Sequence, residues 1–413
     1  MNTDEIGGIP QQEESSYIPE SVINRKDLLD TGLKNVKGRR IALIISITVL
    51  LLILIITPVL LYKYTSLLNV FKKPERQHSS VNSSIHLTKA TITPTPVTYI
   101  DPLTGQDTTE SNISRPPLAV MIENSIPARP QTGLNSADIV YETLVEGGIT
   151  RFMAVFLGNT PQIIGPVRSA RTYFLDWVAE YNAIYAHWGE NSDVIPSLQP
   201  DSIRNIDAIV SPGTDTACSI LTDSNMFCRD YTRYAPHNGY GFPSKIWAQA
   251  SSVYGWSSAS NITPWSFKTQ ADVSVRGIDG KILTIDFMPS DIYYEVEWHY
   301  SKATNTFIRY DDGVEQYDNV TKQPVTATNI VIQFVNGHEY TSLGGKYVWA
   351  YDNVGNGAAY MFIDGNEIKG TWSKSSRTSR TMFYDSNSSP VQFDQGNTYI
   401  TVLVNSEGSF SYN

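Results

Sequence analysis

Residues 41–61, IALIISITVLLLILIITPVLL, contain no charged side chain. A helix rises about 1.5 Å per residue, so this run spans the roughly 30 Å hydrocarbon core of a bilayer. It starts late in the chain, is too long for the apolar core of a signal peptide and lacks a clear small-residue cleavage site. The run therefore predicts a permanent anchor, a transmembrane helix over 39–62. Arg25, Lys26, Lys34, Lys37, Arg39 and Arg40 precede it, while Lys63, Lys72, Lys73 and Arg76 follow. That bias modestly favours a single-pass topology with a cytoplasmic N-terminus and extracellular C-terminal domains.

The flanks divide by composition. Residues 1–38 are polar and aperiodic, as expected of a mostly disordered tail. Residues 63–98 include HSSVNSSIHLTKATITPTPVT, a Ser/Thr/Pro-rich spacer. The chain has 31 Lys+Arg and 41 Asp+Glu, of which 10 and 8 lie at or before residue 78, so the remainder carries a net charge of −12. Such a balance excludes broad nucleic-acid binding, which needs basic surface. The two cysteines, Cys218 and Cys228, close a short loop if this part is extracellular and remain two thiols if it is cytosolic. Two Cys without a nearby CxxC or HxxxH arrangement disfavour a zinc site here.

From residue 99 to 258 short apolar runs alternate with amphipathic ones. PLAVMI and ITRFMAVFLG read as strands, QIIGPVR as a third apolar run and AIYAHWG as a further strand. NSADIVYETLVEGG, TYFLDWVAEYN and FPSKIWAQASSVYG read as helices. The pattern predicts an α/β domain with a mixed or parallel sheet. From 259 to 413 the runs DVSVRG, KILTIDF, IYYEVEWHY, TFIRY, NIVIQFV, AAYMFIDG and NTYITVLV are β-branched and aromatic, and Asp312-Gly313 and Asp364-Gly365 mark hairpins. This second domain is expected to be mainly β.

Within the first domain GPVRSART, residues 165–172, places Arg168 and Arg171 three apart. Read as a strand ending near Ile164 or Val167 and a helix starting near Ser169 or Thr172, it offers an anion site, because a helix N-terminus supplies free N–H groups and two guanidiniums add paired donors. Arg151 and Arg129 border strands of the same domain. The alternative is ion pairing of these arginines with Asp138, Glu142 or Glu146. His187 and His237, with Glu123, Glu190 and Asp230, are candidates for an acid/base pair or a metal site, with packing or hydrogen bonding favoured over metal because no metal-ligand motif is present. Lys369, Lys374, Arg377 and Arg380 read as a solvated hairpin or as a flap that closes the anion site. There is no GxSxG, P-loop or GxGxxG sequence, so serine hydrolysis, nucleotide hydrolysis and dinucleotide redox chemistry are disfavoured and no cofactor is expected.

IDPLTG (100–105), PLAVMIEN (117–124), ARPQTGL (128–134), IGPVRSARTYFLDWVAEYNAIYAH (164–187) and APHN (235–238) resemble, in order, the N-terminal domain of the YerB-like lipoproteins of Gram-positive bacteria. NIVIQFV, IKGTWSKSSRTSRTMFYD and GNTYITV resemble its C-terminal domain. The resemblance covers about residues 100 to 405 and implies an exported protein tethered at the cell envelope. This chain has no Cys after an N-terminal apolar run, so the expected tether is the transmembrane helix. Glu123, Asn124, Arg129, Arg151, Arg168, Arg171, His187, His237 and Asn238 match the family's motifs. The expected function is binding of an anionic envelope ligand, a phosphorylated glycan or lipid head group, by Arg168, Arg171, Arg151, Arg129, Asn124 and Asn238. The alternatives are phosphotransfer or hydrolysis on such a ligand, with His187, His237 or Glu123 catalytic, and an extracellular scaffold that docks an envelope protein.

Overall fold

The computed structural model describes residues 98–198, 203–212, 214–220, 225–289 and 294–413. The expected tail and span, and all but the end of the spacer, lie outside the described residues. Among those described, no helix is long and apolar enough to cross a membrane.

Along the chain run β1 (Leu118–Glu123), β2 (Ile139–Leu144), β3 (Thr150–Phe156), α1 (Phe174–Tyr181), β4 (Ile184–His187), β5 (Arg204–Asp207) and α2 (Pro243–Tyr254). There follow β6 (Ile282–Asp286), β7 (Val296–Ser301), β8 (Thr306–Asp311), β9 (Asn329–Val335), β10 (Gly355–Ile363), β11 (Asn366–Lys374), β12 (Met382–Asp385), β13 (Thr398–Val404) and β14 (Ser409–Tyr412). One ten-stranded mixed sheet has the order β12-β11-β10-β9-β13-β2-β3-β1-β4-β5. It draws strands from both sides of residue 258, and the seam is parallel pairing of β13 with β2, Thr398 opposite Ile139 through Thr401 opposite Glu142. A second sheet carries β8-β7-β6-β14, with Val314–Glu315 at its β8 edge. Trp298 of β7 meets Tyr399 of β13 edge-on at 4.8 Å, so the two sheets share one core.

Every residue of β1, β2 and β3 is buried. Strands covered on both faces lose the apolar–polar alternation that marks half-exposed ones. This explains one error: residues 139–144, IVYETL, read as part of a helix, form a central strand. An Asn or Ser cap before the run and glycines after it suggest a helix; Glu142 and Thr143 interrupt the apolar run, and their partners, Arg309 and the Val402 carbonyl, are remote in sequence. The α/β expectation is corrected accordingly to a mostly β fold with few helices around a mixed sheet. QIIGPVR contributes only isolated bridges, such as Ile164 opposite Gly241. DVSVRG supplies a 3-10 turn, Val273–Val275, because Asp272 accepts the Ser274 N–H at its start.

Local signals hold where the surroundings are ordinary. α1 buries Phe174, Trp177, Val178 and Tyr181, and Trp177 stacks on Tyr141 of β2 at 4.7 Å. α2 begins with Pro243 and is closed by Gly255 at φ 71°. Asp312 and Gly313 (φ 50° and 70°) join β8 to Val314–Glu315, and Asp364 and Gly365 (φ 53° and 71°) join β10 to β11. Two successive positive φ values match the right-handed twist of the strands they join. Cys218 and Cys228 form a disulfide with their Cα atoms 5.0 Å apart.

In the basic run of β11 and the loop after it, Lys374 and Arg380 are not solvated as expected but buried in ion pairs. Lys374 is buried 2.9 Å from Glu180 of α1, and Arg380 pairs with the same carboxylate while lying 3.9 Å over the Trp265 ring. Arg377 bonds Asp176 at 2.9 Å, whereas Lys369 is exposed. Two buried cations thus converge on one buried glutamate, tying α1 to the C-terminal half.

Candidate functional site

GPVRSART is an extended segment. The Arg168 N–H donates to Met121 O of β1, the Trp188 N–H to Arg168 O, and the Ala170 N–H to Gly189 O. α1 starts only at Phe174, and the N–H groups of Phe174 and Leu175 already donate to the carbonyls of Arg171 and Thr172. The expected anion cradle at a helix N-terminus is therefore corrected: what this segment presents to solvent is side chains.

Arg168 and Arg171 line a cavity of about 380 Å³ together with Glu146, Glu190 and, from the C-terminal half, Ser342 and Lys346. Its far wall is held in place by Asp193, which accepts from Tyr340 Oη at 2.6 Å and from Leu343 N at 2.8 Å. Arg171 is fully engaged, donating Nε and Nη2 to the two Glu146 oxygens at 2.6 Å each and Nη1 to Ala170 O. Burial works to raise the Glu146 carboxyl, but the bidentate bond and charge of Arg171 outweigh it and leave the group lowered. The ion-pair alternative is thus realised for Arg171, with Glu146 rather than Glu142.

Arg168 differs. Its Nε lies 3.3 Å from Glu123 Oε1, and its two terminal nitrogens have no hydrogen-bond partner among the described residues. It also lines an adjoining cavity of about 310 Å³ with Trp188, Glu190, Arg229 and Pro236. Behind both arginines, buried Arg151 donates Nη1 to Ser169 O at 2.7 Å and has no carboxylate within ion-pair distance among the described residues. Burial, then the charge of Arg171, lowers its pKa to about 10.

His237 joins this cluster. Its Nδ1 lies 3.0 Å from Glu123 Oε1, the same oxygen that faces Arg168 and that accepts from Ser125 Oγ at 2.8 Å. Its Nε2 has no partner among the described residues. A carboxylate on one imidazole nitrogen fixes the tautomer and frees the other nitrogen as a base.

His187 lies apart and is fully buried, with Nδ1 2.9 Å from Gly189 O and Nε2 2.6 Å from Asn205 Oδ1. Burial lowers its pKa. Glu190 and Asp207 approach its Nδ1 at 3.7 and 3.8 Å, and the three could hold a metal ion, an arrangement that no sequence spacing announces. Asp230 instead caps the turn at Thr232. Asn238 accepts from Arg229 at 3.0 Å and donates to Arg233 O.

Asn124 and Arg129 belong to a buried network below β1. Asn124 donates to Thr150 Oγ1 at 2.7 Å and to Glu142 Oε1 at 3.3 Å, and Arg129 Nε donates to Asn124. At the centre Arg309 holds both Glu142 oxygens, at 2.7 and 2.9 Å, and Asp311 Oδ1 at 2.8 Å. The sequence reading missed Arg309 and Asp311. A signal was present, since both fall on the inward face of β8 beside Phe307, in a strand that otherwise alternates.

Comparison with known proteins agrees with this architecture. Residues 103–256 match the family described as "Protein of unknown function (DUF3048) N-terminal domain", and residues 283–400 match its C-terminal domain. YerB of Bacillus subtilis (strain 168), named there as a candidate lipoprotein, is 31% identical over 271 residues, covering 66% of this chain and 77% of YerB. This chain belongs to the YerB family. The crystal structure of Bacillus subtilis YerB superimposes with a TM-score of 0.65 at 28% identity, over 76% of this chain and 99% of that one. The two family segments are the two halves that share the ten-stranded sheet of this YerB-family protein.

Proposed function

We propose that this YerB-family protein is a membrane-tethered cell-envelope protein that binds an anionic ligand, a phosphorylated glycan or lipid head group, in the cavity lined by Arg168 and Arg171. One observation carries the reading. Arg168 Nε faces Glu123 Oε1 at 3.3 Å without making a hydrogen bond, its terminal nitrogens have no hydrogen-bond partner among the described residues, and Arg151 beside it has no ion-pair partner among them. Guanidiniums are suited to phosphate because they donate in parallel pairs. Placement at the envelope is supported by the lipoprotein name of YerB and by the apolar run at 41–61.

Glycerol 3-phosphate is the probe. At tenfold above its dissociation constant a ligand adds about 1.4 kcal/mol of stability, a measurable rise in melting temperature. Arg168→Gln, at a half-buried side chain, is expected to abolish that rise and leave the unliganded melting temperature within a degree or two. An undiminished rise in Arg168→Gln, or none in the wild-type protein across a panel of envelope phosphates, refutes the proposal.

A second reading, hydrolysis or phosphotransfer on the same ligand, is favoured by the Glu123–His237 pair beside Arg168. On this reading His237→Gln abolishes turnover of a phosphate ester while retaining its binding. Turnover unchanged in His237→Gln removes the histidine from the chemistry.

A further inference from the structure

A separate cavity of about 290 Å³ opens against the Arg309 network and has opposite demands. Its walls are apolar: Ile126, Val314 and Tyr317, each substantially exposed, together with Pro130. Two residues that line it, Asp311 and Gln316, are 4% and 5% exposed. Asp311 gives Oδ1 to Arg309, but its buried Oδ2 accepts no hydrogen bond, and Arg129 Nε lies 3.8 Å away. Gln316 donates Nε2 to Gln131 Oε1 at 2.7 Å. Gln131 in turn donates to Glu123 O and Asn124 Oδ1, which fixes the orientation of both amides and leaves Gln316 Oε1 as the buried, unpartnered atom.

Two buried acceptors without donors are costly in isolation, because each loses its water without gaining a protein donor. Both atoms belong to residues that line this one cavity. Asp312 and Glu315 line it as well, so the lining residues include three carboxylates and one guanidinium, that of Arg129. A ligand suited to these walls therefore brings N–H donors, positive charge and an apolar stem. Arg129 Nη2, buried and also unpartnered, adds a donor that a ligand carbonyl would answer.

We propose that this cavity binds the aliphatic ammonium of a lysine-type residue in a peptide. Its N–H groups donate to Asp311 Oδ2 and Gln316 Oε1, and its methylenes pack on Ile126, Pro130, Val314 and Tyr317. The site is independent of the anion cavity.

The test is calorimetric titration of the full-length chain with Nα-acetyl-lysine amide and with Nα-acetyl-norleucine amide, which keeps the four-carbon stem and lacks the ammonium. The lysine compound is expected to bind at least tenfold more tightly. Asp311→Asn is expected to weaken it at least tenfold. Because Asp311 also contacts Arg309, near-ultraviolet circular dichroism checks that this variant folds. Val314→Trp, at an exposed wall position, is expected to block the cavity and abolish binding without disturbing the core. Equal affinity for the norleucine compound, no heat with the lysine compound at millimolar concentration, or unchanged affinity in folded Val314→Trp overturns the proposal.

Discussion

Arg309→Met is the most informative perturbation of the fold. The guanidinium makes two charge-assisted bonds to Glu142 and one to Asp311, and all three side chains are almost fully excluded from solvent. Methionine fills much of the same volume, so the loss is electrostatic. Breaking a buried pair by removing one partner costs about 3–5 kcal/mol, because an uncompensated charge stays buried. The cost is predicted to depend on pH. Burial already holds the Glu142 carboxyl above its ordinary 4.5, against the opposing charge of Arg309. Without Arg309 the group rises further and folds as the neutral acid. A carboxyl whose folded pKa exceeds its unfolded value contributes fully below the unfolded pKa, and that contribution is lost as pH rises through the folded one. Arg309→Met is therefore less damaging at pH 5 than at pH 8, and Glu142→Gln added to it recovers part of the loss at pH 8. Urea unfolding followed by tryptophan fluorescence measures this, since the Trp298 ring lies 5.4 Å from the guanidinium. A cost under about 1 kcal/mol, or the same cost at both pH values, refutes the reasoning.

Two further outcomes are expected. Gly365→Ala combines a φ of 71° with a Cβ that would lie 2.1 Å from Tyr300 Cε1; a loss of about 2 kcal/mol or more is expected in the same urea assay, and a neutral result contradicts the hairpin geometry. Burial works to raise the Glu180 carboxyl, but Lys374 and Arg380 outweigh it and hold the group below 4.5. Its contribution is present above the unfolded pKa and is lost as pH falls through the folded one, so Glu180→Gln is expected to destabilise strongly at pH 7 and progressively less below about pH 4.5; an equal penalty at pH 7 and pH 3 counts against this.

Elements whose stability is local were legible in the sequence. The stripe Phe174, Val178 and Tyr181 gave α1, Pro243 and Gly255 bracketed α2, and the two Asp-Gly pairs placed their turns. β2 was misread because its polar residues are answered by Arg309, 167 positions away in the chain. The same remoteness hid the centre of the polar network. For the cluster at Arg168, the residue types Arg168, Glu123 and His237 were readable from their motifs, but their meeting was not. Tyr234 O accepts the His237 N–H and Arg168 N bonds Met121, so loop geometry rather than periodicity brings these side chains together. Lys374 and Arg380 were misjudged for a related reason: a charge run is ordinarily solvated, and only the position of Glu180 on the buried face of α1 draws two cations inward.

The seam between β2 and β13 bears on how the chain emerges during synthesis. Ile139 waits for Thr398, 259 residues later. Closing a loop of that length costs roughly 2 kcal/mol more entropy than closing one of about 20 residues. Until the last strands are released, β2 and β9 each hold an open backbone edge of the kind that templates aggregation. A ribosome that stalls before residue 398 leaves two half-sheets, each with its hydrogen-bonding groups exposed to any neighbouring strand. Completion of this fold is thereby timed by its C-terminus, and truncations there are expected to be far more harmful than their length suggests.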